Sequence, residues 1–154
     1  MRTLTKDTPQ KIGETLTLMG WVGGRRDHGK LIFIDLRDRW GMVQVVFTPA
    51  NKPLLAQADA LRPEWVVSIE GIVKARPKGM ENPELPTGHI EIDAKTLTIL
   101  AESQTPPFAL DTDGREIGEE HRMKYRYLDL RRERMKNNLI MRDRVISFIR
   151  DYLH

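Results

Sequence analysis

The stretch "LIFIDLRDRWGMVQVVF", residues 31–47, reads as two strands joined by a turn at Arg39-Trp40-Gly41. Side chains on a strand point alternately to opposite faces. Ile32, Ile34 and Leu36 therefore define a buried face and leave Phe33, Asp35 and Arg37 on the other. In the second run Val43, Val45 and Phe47 form the inner set, and Gln44 falls outside. Phe33 and Gln44 would then share one outer surface, with Arg25 and Arg26 at its rim where the preceding strand ends. An exposed aromatic face can stack an unpaired base, worth about 1–3 kcal/mol. Amide and guanidinium groups beside it can read base edges and hold phosphates. The plain alternative is that Phe33 packs beneath a neighbouring loop and Gln44 is merely solvated.

Outward from this hairpin, "TLTLMGWV" (15–22) alternates in the same way, and Gly29 stands where the tight turn before Leu31 needs a positive φ. After Pro49 the period changes. Leu54, Leu55, Ala58 and Leu61 recur at helical spacing until Pro63 stops them. Two further alternating runs follow, at 65–75 and 89–100, separated by the loop "RPKGMENPELPTG". Three strands, a helix and two strands are the order of a five-stranded OB-fold barrel with a helix between strands three and four. Gly20, Gly23, Gly24 and Gly71 suit the kinks such a barrel needs to close. A two-layer open sheet is the competing architecture.

The chain has 154 residues, 40% hydrophobic and 31% charged, with a net charge of +3 and no cysteine. Disulfides, thiolate metal sites and cysteine nucleophiles are thereby excluded, and the composition fits a reducing cytoplasmic setting. No apolar run approaches a membrane span, and "MRTLTKDTPQ" lacks a secretory signal's apolar stretch. His28, His89, His121 and His154 are scattered, so no metal site is expected. No phosphate-cradling Gly-Lys loop or nucleophile elbow is present, and no catalytic residue is assigned. Asp35, Asp38 and Glu91 are better read as partners of Arg37 and Arg39 than as acid–base groups.

Residues 104–117, "QTPPFALDTDGREI", are a linker by composition. Beyond them "RMKYRYLDLRRERMK" (122–136) is strongly basic, with a solvated helix face as its plainer reading. Met135, Leu139, Ile146, Ile149 and Leu153 then form a helical stripe without a partner. The division expected is an OB-fold over 1–103, a hinge over 104–120, and the truncated start of a second domain over 121–154.

The strings "GWVGGRRDHGKLIFIDLRDRWGMVQVVF", "RPEWVVSIEGIVKARP", "NPELPTGHIEI" and "KYRYLDLRR" together resemble bacterial-type aspartyl-tRNA synthetase, a class IIb family. The resemblance implies a mostly β, anticodon-binding OB-fold, a hinge and the first helix of a class II catalytic domain. The family's anticodon contacts fall on Arg26, Phe33, Gln44 and Glu91. Phe33 would stack the central base, with Arg26 and Gln44 on its edge and Glu91 on a flanking base. Position 89 departs from the family, with His89 where glutamate is usual, and flips a charge beside this surface. His28, Gly79 and Met80 lie where members differ in accepting a second transfer RNA. His28 and Gly79 match the non-discriminating type, so tRNA(Asp) and also tRNA(Asn) are the implied partners.

ATP and Mg2+ are implied for a full-length homodimeric ligase. No cofactor, no aspartate activation and a monomer are implied for these 154 residues. A stand-alone, non-enzymatic single-strand nucleic-acid-binding OB protein is the alternative.

Overall fold

The computed structural model describes residues 2–154, which form two compact units, Met1–Thr105 and Pro106–His154. The first unit contains β1 (Arg2–Thr3), a 3-10 helix (Thr5–Gln10), β2 (Thr15–His28), β3 (Leu31–Arg37), β4 (Met42–Phe47), α1 (Lys52–Ala60), β5 (Val66–Ala75) and β6 (Ile90–Ala101). The sheet order is β1-β2-β3-β4-β6-β5, and β2 also pairs with β5. Strands β2, β3, β4, β6 and β5 therefore close on themselves in a ring, which is the OB-fold order with α1 in the expected connection. Within the ring only β4–β6 is parallel. The open two-layer sheet is excluded by the β2–β5 ladder, which runs from Thr15↔Ile72 to Trp21↔Val66.

Alternation builds the core. Leu18, Val22, Ile34, Leu36, Phe47 and Ile69 are almost fully buried, joined by Leu54, Ala58 and Leu61 from α1. That helix starts where the Asn51 side chain accepts from the Leu54 amide, with a proline in its first turn. The sixth strand, β1, has no signature in the sequence. Two residues are too few to carry a period, and only its parallel pairing with Thr17 and Leu18 reveals it.

The turn between β3 and β4 is organised by Asp38, which is 7% exposed. Its carboxylate accepts from the Thr5 amide and hydroxyl and from the amides of Trp40 and Gly41. This replaces the expected pairing of Asp38 with a neighbouring arginine. Arg37 instead makes a two-pronged contact with Glu64, at 2.8 and 2.9 Å.

The second unit contains α2 (Glu119–Lys124), α3 (Arg126–Asp129) and α4 (Glu133–Leu153). Its basic run is only partly a solvated face. Arg132 is fully buried and bonds Asp129 and Thr112, while Arg126 also reaches Asp129 and Arg134 holds the Asp113 carbonyl. Buried charge of this kind persists because it is paired. The stripe Leu139, Ile146, Ile149 and Leu153 on α4 is exposed.

Candidate nucleic-acid interface

The strand β2 runs six residues beyond the expected end at Val22 and reaches the hairpin turn at Gly29. Along it, Val22 pairs with Leu36 and Arg25 with Ile34, so Gly23 and Gly24 together oppose Asp35. This bulge inserts one residue and reverses the parity of the rest of the strand. By simple alternation from Val22, Arg26 would face inward. The bulge brings it opposite Phe33 on the outer face. Arg25 takes the other side, where its guanidinium is held by Asp27 and by Asp59 of α1. The expectation that both arginines border the surface is therefore corrected. Arg26 belongs to it and Arg25 does not.

Phe33 is only part-buried and stays out of the hydrophobic core. The His28 ring meets it edge-on, with centroids 6.2 Å apart. Across β4, Gln44 lies opposite Asp35. A chain of polar contacts then runs across four strands, β2, β3, β4 and β6. Arg26 Nη2 donates to Asp35 Oδ1 at 2.7 Å and to Gln44 Oε1 at 3.4 Å, and Gln44 Nε2 donates to Glu91 Oε2 at 3.1 Å. The outer face thus brings Arg26, Phe33, Gln44 and Glu91 together.

Two further residues, Asp35 and Arg76, join the cluster without having been assigned to it from the sequence. Asp35, expected to pair with Arg37, pairs with Arg26. Burial is the main influence on its carboxyl and raises it above the usual range, against the downward pull of Arg26 and Arg76. Arg76, just past β5, donates from Nε to the Ile90 carbonyl at 2.9 Å. Burial lowers its guanidinium, and the charges of Glu91, Arg26 and Asp35 all act on it. A signal for it exists: it continues the outward set Ile72 and Lys74.

Gly79 and Met80 sit on the 76–88 loop, Gly79 at φ +84° and Met80 70% exposed. The loop is ordered by bonds within it and by one to β4. Glu81 accepts from the Gly79 amide, Asn82 from Glu84, and the Thr87 hydroxyl donates to the Met42 carbonyl. His89 is exposed, and its carbonyl accepts from the Arg76 amide at 3.0 Å.

A sheet face carrying one aromatic ring beside a fixed amide and two guanidinium groups has the groups that can stack and hydrogen-bond single-stranded bases. The family described as OB-fold nucleic acid binding domain matches residues 16–100. The chain belongs to that family. Residues 118–154 match a second family, the class II tRNA synthetases (D, K and N).

Among curated relatives, the chain is 56% identical to the aspartate–tRNA(Asp/Asn) ligase of Rubrobacter xylanophilus, over 92% of its own length and 24% of the relative's. It is also 56% identical to the ligase of the same name from Halothermothrix orenii, over 96% and 25%. Asparaginyl-tRNA synthetase from Pyrococcus horikoshii, solved with asparaginyl-adenylate, superposes with a TM-score of 0.81 at 25% identity, covering 99% of this chain and 34% of that one. The chain thus spans about a quarter of the length of the curated relatives it matches. The resemblance to aspartyl-tRNA synthetase is borne out by these likenesses.

Proposed function

We propose that this chain is the anticodon-reading, N-terminal part of an aspartate–tRNA ligase. One observation carries the reading: Phe33, Arg26 and Gln44 share an open sheet face on which the amide is held from both ends. The Phe33 ring stacks the central base of the anticodon. Arg26 and the Gln44 amide bond its edge, and Glu91, with Arg76 beside it, contacts a flanking base. Specific RNA recognition works on such splayed, unstacked bases.

The exposure of His28, Gly79 and Met80 supports a second role for them in choosing between tRNA(Asp) and tRNA(Asn). His28 lies against the stacking ring itself. The relatives' shared name, with both transfer RNAs in it, supports acceptance of both.

The parent reaction would join aspartate to tRNA through an adenylate, with ATP and Mg2+, in a homodimeric, cytoplasmic enzyme. Among the described residues no group of three or more His, Cys, Asp or Glu side chains could hold a metal ion. No adenylation step is assigned to these residues, and the chain by itself is a monomeric RNA-binding piece.

Titration with an aspartate anticodon stem-loop at fixed salt tests the reading. Replacing the central U should cost at least about 1 kcal/mol, and Phe33→Ala about 1–3 kcal/mol, with little change in Tm because the ring lies outside the core. Equal affinity for every central base would instead favour the stand-alone single-strand binder. Appreciable ATP–pyrophosphate exchange by the chain would overturn its assignment as non-catalytic.

A further inference from the structure

The bulge in β2 sends Arg25 and Arg26 to opposite faces, and the face that Arg25 reaches has a cleft of its own. It opens between the β2–β3 hairpin tip and α1, with a volume of about 420 Å³. Leu31, Ile32, Leu55 and Ala56 give it apolar walls, and Lys30 and Lys52 stand at its border with Asp27 and Asp59.

The charges are unevenly engaged. Asp27 and Asp59 are both taken by the Arg25 guanidinium, at 2.8 and 2.5 Å. Arg25 Nη1 also caps the Asp59 carbonyl at 2.5 Å. Lys30 and Lys52 are exposed, and neither has an acidic partner within 4 Å among the described residues. Three cations therefore face two carboxylates that one of those cations already satisfies. The result is an apolar cleft whose free charge is two ammonium groups.

The geometry points to a second RNA contact here: the cleft holds a nucleotide flanking the bases on the outer face, its phosphate between Lys30 and Lys52 and its base or ribose against Leu31 and Leu55. Leu31 is two residues from Phe33 along β3, about 7 Å, so a strand leaving the stacking ring need only pass the hairpin tip to enter. Ammonium groups without an acidic partner carry no intramolecular bond that phosphate would have to break. Their contribution is electrostatic and sequence-independent. The cleft adds affinity and direction to the strand, and the outer face supplies the reading. The inference rests on the RNA-binding assignment above.

The test titrates the 154-residue chain with the aspartate anticodon stem-loop across a salt series, as wild type, Lys30→Gln/Lys52→Gln, Lys30→Arg/Lys52→Arg and Phe33→Ala. The glutamine pair should bind about three- to tenfold more weakly, with the slope of log K against log salt reduced by about 0.7, the value for one single-strand phosphate. Its preference for the central base should be unchanged, and the arginine pair should bind as wild type. Both lysines are exposed, so Tm should not move. Unchanged affinity and slope in the glutamine pair would overturn the inference, and a weakened Phe33→Ala beside it would leave the outer-face reading standing. The converse pattern, a weakened glutamine pair with Phe33→Ala unaffected, would sink the stacking role and keep the cleft.

Discussion

Gln44 donates from Nε2 to Glu91 Oε2 at 3.1 Å, across the parallel β4–β6 pair. The contact decides which way the amide points. With nitrogen on the carboxylate, the oxygen turns toward Arg26, 3.4 Å away. An amide free to flip offers donor and acceptor interchangeably, and so reads a base edge poorly. Glu91→Ala should therefore lower central-base discrimination by about 1 kcal/mol, the net worth of one such bond, while leaving Tm close to wild type. Paired titrations with matched and mismatched stem-loops measure it. An undiminished preference in the variant would show that the orientation is set elsewhere.

Asp35 has the opposite influence on RNA. It binds Arg26 at 2.7 Å and neutralises one positive charge on the surface that phosphate approaches. In Asp35→Asn the Arg26 side chain, 54% exposed, loses its anchor and keeps its charge. Affinity for any stem-loop should rise a few-fold, with a steeper salt dependence, while discrimination among central bases falls. Weaker binding to every stem-loop would mean that the ion pair is needed to present Arg26.

Asp93 supplies a pH prediction. Burial opposes its ionisation, but the ammonium groups of Lys74 and Lys95, at 2.7 and 2.8 Å, outweigh this and hold the carboxyl below its usual range. A depressed folded-state value means that the unfolded chain binds the proton more readily. The stabilisation is then present above the unfolded value, near pH 4, and is lost as pH falls through the folded one. Asp93→Asn should lower Tm at pH 7, and the gap to wild type should narrow as pH falls below the unfolded value and close once the depressed folded-state carboxyl is protonated. Thermal melts across that range would show it, and a gap that persists at low pH would refute it.

The order of elements and the inner face of each strand were legible because period-2 alternation survives wherever one face is buried. Phe33 and Gln44 were placed by that rule, and the α1 stripe by the 3.6-residue helical period. Arg25 was misplaced because a bulge cancels alternation, and "GG" marks a bend without saying which neighbour changes face. The charge partners were legible least. Asp35 lies next to Arg37 on the same face, yet Arg37 reaches Glu64 and Asp35 reaches Arg26. Long side chains choose partners across strands, and sequence spacing holds no record of that choice.

Glycines separate two causes of intolerance that composition alone would merge. Gly71 stands at a register shift in the β5–β6 ladder, where both β2 and β6 pair with β5. A Cβ there would meet Ile92 Cγ2 at 2.6 Å and the Asp93 carbonyl oxygen at 2.7 Å. A side chain can turn away, but a ladder carbonyl cannot without opening the ring. Gly79 has φ +84° and nothing within 4 Å of its Cβ position. Gly71→Ala should cost about 1–3 kcal/mol by overpacking, which lowers Tm by about 4–8 °C per kcal/mol in a domain of this size. Gly79→Ala meets only left-handed backbone strain, about 1 kcal/mol, in a loop that can relax. Melting both variants ranks the two effects. A loss at Gly71 no larger than at Gly79 would mean that β6 gives way to the added methyl, so that the close contact is not what makes Gly71 necessary.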